Sequence, residues 1–153
     1  MSFFSFFKKK DFFSPEENER IIESIRSAEK CTSGEVRIFV EGKCSFIDPL
    51  DRAKEIFSEL QMENTKDRNA VLLYVAVKDR QLAIYADKGI HEKMGTRFWE
   101  EEVNKMLLQF DKHNYTNGIT QCISDIGKAL EENFPYNKQE DKNELPDEII
   151  FGR

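Results

Sequence analysis

The chain has 153 residues, 34% of them charged, and a net charge of −6. That length fits one domain able to bury roughly two-thirds of its unfolded surface, so a core needs neither disulfide nor metal. The acidic balance, with Lys8, Lys9 and Lys10 as the single basic run, excludes a general nucleic-acid grip, which needs a concentrated basic face.

The first thirteen residues, ending SFFSFFKKKDFF, hold six of the 13 phenylalanines. No stretch reaches the ~20 apolar residues of a spanning helix. The order is also wrong for a secretory signal, whose positive charges precede its apolar part. Two expectations remain for residues 1–13. The rings dock onto an apolar groove of this domain or of a second copy, or they make peripheral membrane contact beside lysines each contributing about 1 kcal/mol near an anionic bilayer.

From Ser14 the sequence predicts a helix: Ser14 caps it, Pro15 suits the first helical position and Glu17 completes a capping box. Ile21, Ile22, Ile25 and Ala28 form its apolar stripe, and Gly34 lies where the chain leaves it. A first strand follows, with Val36, Ile38 and Val40 on one face. Asp48 and Pro49 open a second helix that turns Leu50, Ala53, Ile56, Phe57 and Leu60 inward. AVLLYVAV, residues 70–77, is apolar on both faces, as a central covered strand should be. A tight Lys-Asp-Arg turn then leads into QLAIYAD, making a hairpin.

Two further helices are read from apolar spacing. One carries Phe98, Trp99, Val103, Met106, Leu107 and Phe110, the other Ile119, Cys122, Ile123, Ile126, Ala129 and Leu130. Residues 137–153 read as a polar acidic tail that ends in a short apolar Ile-Ile-Phe. The predicted fold is therefore α/β in the order α-β-α-β-β-α-α. It has a small mixed sheet of three or four strands between about four helices, built by residues 14–136.

Catalytic templates are scarce. Cys31 and Arg37 satisfy the C-x5-R spacing of cysteine phosphatases, but there the loop runs from strand to helix and the helix dipole favours the thiolate. Here it runs from helix to strand, with Arg37 in mid-strand. No phosphate-binding glycine loop, zinc helix or nucleophile elbow occurs. Cys31, Cys44 and Cys122 are odd in number and widely spaced, which suits reduced thiols of a cytoplasmic protein.

One constellation comes from geometry. With Asp79 and Arg80 at the hairpin tip, pairing back along the strands sets Arg68 and Asn69 opposite Lys88 to Ile90. A parallel first strand brings Ser33, Gly34 and Glu35 to the same end. Glu35, Asp67, Asp87 and Glu92 could there offer oxygen ligands to Ca2+ or Mg2+. Arg68, Asn69, Lys88 and Gly89 are candidates for holding an anionic ligand. Alternatively, Arg68 simply neutralises Asp87 in a charged network that shapes the strand ends.

These segments also carry a resemblance. TSGEVR, LDRAKEIFSEL, RNAVLLYVAVKDRQLAIYADKGI, RFWEEEV, FPY and NELPDEIIFG, in that order, resemble the bacterial TPM-domain family. The likeness is to a short cytoplasmic branch without signal or membrane helix, and it covers nearly everything after residue 11. It implies an α/β sandwich of Rossmann-like appearance. For function it implies either accessory interaction beside membrane-linked partners or acid phosphatase activity, with calcium binding suggested for some members. The chain departs from the family pattern at Ala70, where Gly is commoner, at His113 and Asn114, where Gly-Asp is usual, and at Phe39, where a polar residue is expected. Two functions are thus expected: a non-catalytic interaction module with a protein partner, or a metal-dependent phosphatase-like hydrolase.

Overall fold

The computed structural model describes residues 12–136 and 149–152. The first helix, α1 (Pro15–Glu29), starts where the sequence says it should. The Ser14 hydroxyl accepts from Glu17 N at 3.1 Å, and the Glu17 carboxylate accepts from Ser14 N at 2.9 Å. The Thr116 hydroxyl also donates to Glu17, at 2.7 Å, and these bonds hold the Glu17 carboxyl below the usual range. Phe13 is buried in the core and Phe12 stacks on Phe151 with centroids 6.4 Å apart, so the end of the Phe strip rests on the domain. Residues 1–11 lie outside the described residues.

After α1 come β1 (Glu35–Glu41), α2 (Pro49–Glu59), β2 (Ala70–Ala76), β3 (Gln81–Ala86), α3 (Lys88–Met94), α4 (Thr96–Asp111), α5 (Tyr115–Asn133) and β4 (Ile149–Phe151). The sheet order is β3-β2-β1-β4. β1 runs parallel to both β2 and β4, and β3 is antiparallel to β2. The Asp48 carboxylate caps α2 by accepting from Leu50 N at 2.9 Å.

Alternation along the strands separates two cores. Val36, Ile38, Val40, Val71, Leu73 and Val75 face α1, α4 and α5. Phe39, Leu72, Tyr74 and Ala76 face Ala53, Ile56 and Phe57 of α2. β2 is buried at every position, which is why its sequence is apolar on both faces. Among the described residues, no helix is long and apolar enough to cross a membrane.

Three expectations need correction. The chain leaves α1 at Lys30, not at Gly34. Gly34 is instead the point where Leu130 packs against the backbone, since a Cβ there would lie 2.6 Å from Leu130 Cδ2. Ile149–Phe151 are no tail: they form a fourth strand, Ile38 pairing with Ile149 and Val40 with Phe151. The polar segment 137–148 lies outside the described residues. Finally, α3 is a fifth helix absent from the predicted order, because seven residues containing Gly89 and His91 carry little helical signal.

One charge lies where the α4 pattern expects apolar contact. Glu102 is buried between α4 and α5, accepting from Lys105 Nζ at 3.2 Å. Its Oε1 has no donor among the described residues. Burial and the neighbouring Asp125 push its pKa up to about 7. A raised carboxyl pKa means that the folded state holds the proton more tightly. The resulting stability is full below the unfolded value near 4.5 and is lost as pH rises through 7. Denaturant midpoints at pH 5 and pH 8 should show this loss, on the order of 2 kcal/mol, and Glu102→Gln should remove it.

Candidate functional site

The hairpin register decides which loops meet. Val71 pairs with Ala86 and Ala76 with Gln81, so the ladder extends to Ala70 opposite Asp87 and Arg68 opposite Gly89. Asp87 N donates to Ala70 O at 2.9 Å and Gly89 N to Arg68 O at 2.8 Å. β1 starts at the same level, with Glu35 beside Ala70 and Glu35 N donating to Asn69 O at 3.4 Å. The segments TSGE, DRN and DKG therefore share one end of the sheet.

At that end Arg68 adopts φ +51° and turns its guanidinium onto Asp87. Nε donates to Asp87 Oδ2 at 2.6 Å and the second terminal nitrogen to Oδ1 at 2.9 Å, a bidentate pair. The Asp87 side chain is 3% exposed, the Arg68 side chain 38%. The carboxylate raises the Arg68 pKa above its usual value. Asp87 Oδ1 also accepts from Lys88 N at 2.8 Å, capping α3. Asn69 is buried and donates to Ser33 Oγ at 3.2 Å, while its Oδ1 has no donor among the described residues. Gly89 is demanded by contact: a Cβ there would lie 2.1 Å from Asp67 O and 2.6 Å from Arg68 O.

The eight expected site residues thus divide. Arg68, Asn69, Asp87 and Gly89 form one bonded assembly, with Lys88 exposed beside it. Glu35 is buried at the start of β1, while Asp67 and Glu92 are exposed. Among the described residues, no three His, Cys, Asp or Glu side chains come together as a group that could hold a metal ion. The four expected carboxylate ligands are accordingly not gathered into one cage, and the central one, Asp87, is occupied by Arg68. Cys31, exposed at the helix exit, and Arg37, buried in β1, form no phosphatase loop.

The opposite end of the sheet holds a cluster that sequence reading missed. Glu41, at the end of β1, accepts from Arg52 Nε and from a terminal Arg52 nitrogen, both at 3.0 Å, and from the Tyr74 hydroxyl. Arg52 also pairs with Glu55 and lies 5.7 Å over the Phe39 ring. Hydrogen bonding to Glu41 pushes the Arg52 pKa up, and burial does the same to Tyr74. The available signal was weak: a Glu ending an apolar strand, and an Arg one turn inside the next helix.

Beside both ends runs a groove of about 1070 Å³ along β3, one of the two outer strands of the sheet. Leu82, Ile84 and Ala86 line it, with Leu50 of α2 on one side and Trp99 and Val103 of α4 on the other.

Residues 7–129 match the TPM domain family. The chain belongs to that family. It is similar to BA42 protein from the psychrophilic bacterium Bizionia argentinensis sp. nov., whose NMR structure superposes with a TM-score of 0.85. The two share 43% sequence identity over 95% of this chain and 99% of that one.

More distant TPM-like folds are the N-terminal domain of a P. gingivalis protein and that of cg2496 protein from Corynebacterium glutamicum. The first has TM-score 0.69 and 14% identity over 82% of this chain and 81% of that one. The second has TM-score 0.59 and 10% identity over 80% and 76%. These two share the fold alone. No match was found among the curated proteins.

Proposed function

We propose that this TPM domain is a non-catalytic interaction module that receives a protein partner along the β3 side of its sheet. Residues 1–13 hold it near a membrane surface. The observation that carries this reading is the groove along β3, apolar in its middle and charged at its margins, the usual composition of a site that binds by contact. The Arg68–Asp87 pair supports it: a carboxylate that accepts two guanidinium bonds and caps a helix is committed to holding the edge of that groove. The run Lys8 to Lys10 among phenylalanines suits transient contact with anionic lipid. Phe12 and Phe13 tie that run to the domain.

A metal-assisted hydrolase would require Asp87 to leave Arg68 and join Asp67, Glu92 or Glu35 on a cation. Aryl-phosphate turnover with Ca2+ or Mg2+ present, in wild type and Asp87→Asn, separates the two readings. The expected result is no turnover above buffer in either protein. Turnover by wild type that falls at least about tenfold in Asp87→Asn would replace the interaction module with a hydrolase.

A further inference from the structure

Two buried polar atoms on α4 lack partners among the described residues, the Trp99 indole Nε1 and Glu102 Oε1. Trp99 is 6% exposed and Glu102 2%. Buried atoms of this kind are nearly always paired in folded proteins. These two are complementary, because an indole N–H can only donate and a carboxylate oxygen accepts. They also lie three positions apart on one helix, where Cβ atoms are about 5–6 Å from each other. A change of side-chain rotamer, with no movement of the backbone, is enough to join them.

What keeps Glu102 from Trp99 is its other neighbour. Where Glu102 meets α5, burial and hydrogen bonding to Asp125 favour its protonated form. Asp125 also accepts from Gln121 Nε2 at 3.0 Å and from Lys105 Nζ at 3.3 Å, and Lys105 donates to Glu102 Oε2 at 3.2 Å. With the proton present, Glu102 and Asp125 share it and clasp α4 to α5, and a neutral carboxyl tolerates an unpaired oxygen. Without it, two carboxylates meet across the helix interface, held by one lysine whose side chain is 60% exposed. The buried carboxylate then needs a further donor, and Trp99 Nε1 is an unpaired one a single turn away.

We propose that Glu102 and Trp99 form a proton-operated switch. Protonated Glu102 bonds across to Asp125 and leaves the indole free. On losing its proton to water at the Lys105 mouth of the cluster, Glu102 turns to accept from Trp99 Nε1. Trp99 packs edge-on to Phe98, centroids 4.8 Å apart, and lines the groove along β3, so its change of partner reshapes that wall. The effect on the groove rests on the interaction-module reading; the switch itself does not.

Other charged groups around the pair are accounted for. Burial pushes the Cys122 thiol of α5 up and keeps it neutral, while Glu102 raises Lys105 above its usual range and keeps it charged. β3 contributes only Tyr85, which packs on its α2 face. At Trp99 the groove brings Arg68, Asp87, Lys88, His91 of α3 and Glu100. Among these residue types only histidine ordinarily changes charge between about pH 5 and 8, so His91 is the necessary control.

The chain has one tryptophan, so the full protein labelled with nitrogen-15 gives one indole N–H cross-peak to follow. As pH rises, that peak should move downfield, as a hydrogen-bonded indole proton does, in a single sigmoid centred at about 7. Glu102→Gln should leave it flat. Asp125→Asn should lower the midpoint by about one unit, because the like charge across the interface is gone, and Lys105→Met should raise it. His91→Gln should leave the midpoint where it is. If Glu102→Gln does not fold, the opposite shifts of the Asp125 and Lys105 variants carry the test.

The proposal is overturned if the indole peak stays still or moves upfield, or if it moves as far in Glu102→Gln as in wild type. It is also overturned if the transition disappears with His91→Gln, or if neither Asp125→Asn nor Lys105→Met displaces its midpoint. None of these outcomes depends on phosphate turnover, so the switch and the interaction-module reading fail separately.

Discussion

Gly89→Ala is expected to lower stability by about 3 kcal/mol, the upper end of what overpacking ordinarily costs. For a domain of this size that is a fall of about 10 °C in Tm. The cause lies in the neighbours of the added methyl group, which are backbone carbonyls: Asp67 O at 2.1 Å and Arg68 O at 2.6 Å. A side chain could rotate away, but these oxygens belong to a turn held by the Gly89 N to Arg68 O bond and by the bidentate grip of Arg68 on Asp87. The methyl group must lift that turn or push α3 off the strand end.

Gly95→Ala makes a useful comparison. Gly95 has φ +81° with ψ 159°, a region essentially confined to glycine, and nothing within 4 Å of its would-be Cβ, so only conformational strain applies, about 1–3 kcal/mol. Thermal melts of both variants decide the matter. Equal, small losses would show that the turn yields freely and that the three segments are not tied together as described.

The second large effect belongs to the other end of the sheet. Glu41→Ala should cost about 3 kcal/mol, because removing one member of a buried pair leaves the other uncompensated. Arg52, whose side chain is 19% exposed, would lose both 3.0 Å bonds, and the fully buried Tyr74 hydroxyl would lose its acceptor. The triple variant Glu41→Met, Arg52→Met, Tyr74→Phe replaces the whole cluster with apolar groups and should recover most of the loss. Urea denaturation of the single and triple variants is the check. If the triple variant is no better than Glu41→Ala, packing around Phe39 and Phe57 accounts for the cost, and orphaned polar groups do not.

What could be read in advance follows the range of the interactions. Ser14, Pro15 and Glu17 predict the start of α1, and Asp48 with Pro49 the start of α2, because a cap is a contact among neighbours in sequence. The meeting of Arg68 with Asp87 was legible too, since a short turn transmits register faithfully along a hairpin. Whether Asp87 serves a cation or a guanidinium was not legible, because both uses demand the same residue at the same place. β4 was missed for a different reason. Its three residues carry no periodicity, and their partner strand lies more than a hundred positions earlier. The Glu41, Arg52 and Tyr74 cluster is likewise assembled only when strand and crossover helix are packed.

β4 has a bearing on the fate of the chain beyond its native state. Ile149, Ile150 and Phe151 are all that lies, among the described residues, against the outer side of β1, a strand buried at all seven positions and carrying Val36, Ile38, Phe39 and Val40. If those three residues lift away, β1 exposes an unpaired edge along its apolar residues, the kind of template from which cross-β fibres grow, with Glu35, Arg37 and Glu41 as its charged guards. Resistance to fibril formation in this domain is therefore set by how firmly its shortest strand stays seated, with Phe12 pressed on Phe151 as the latch.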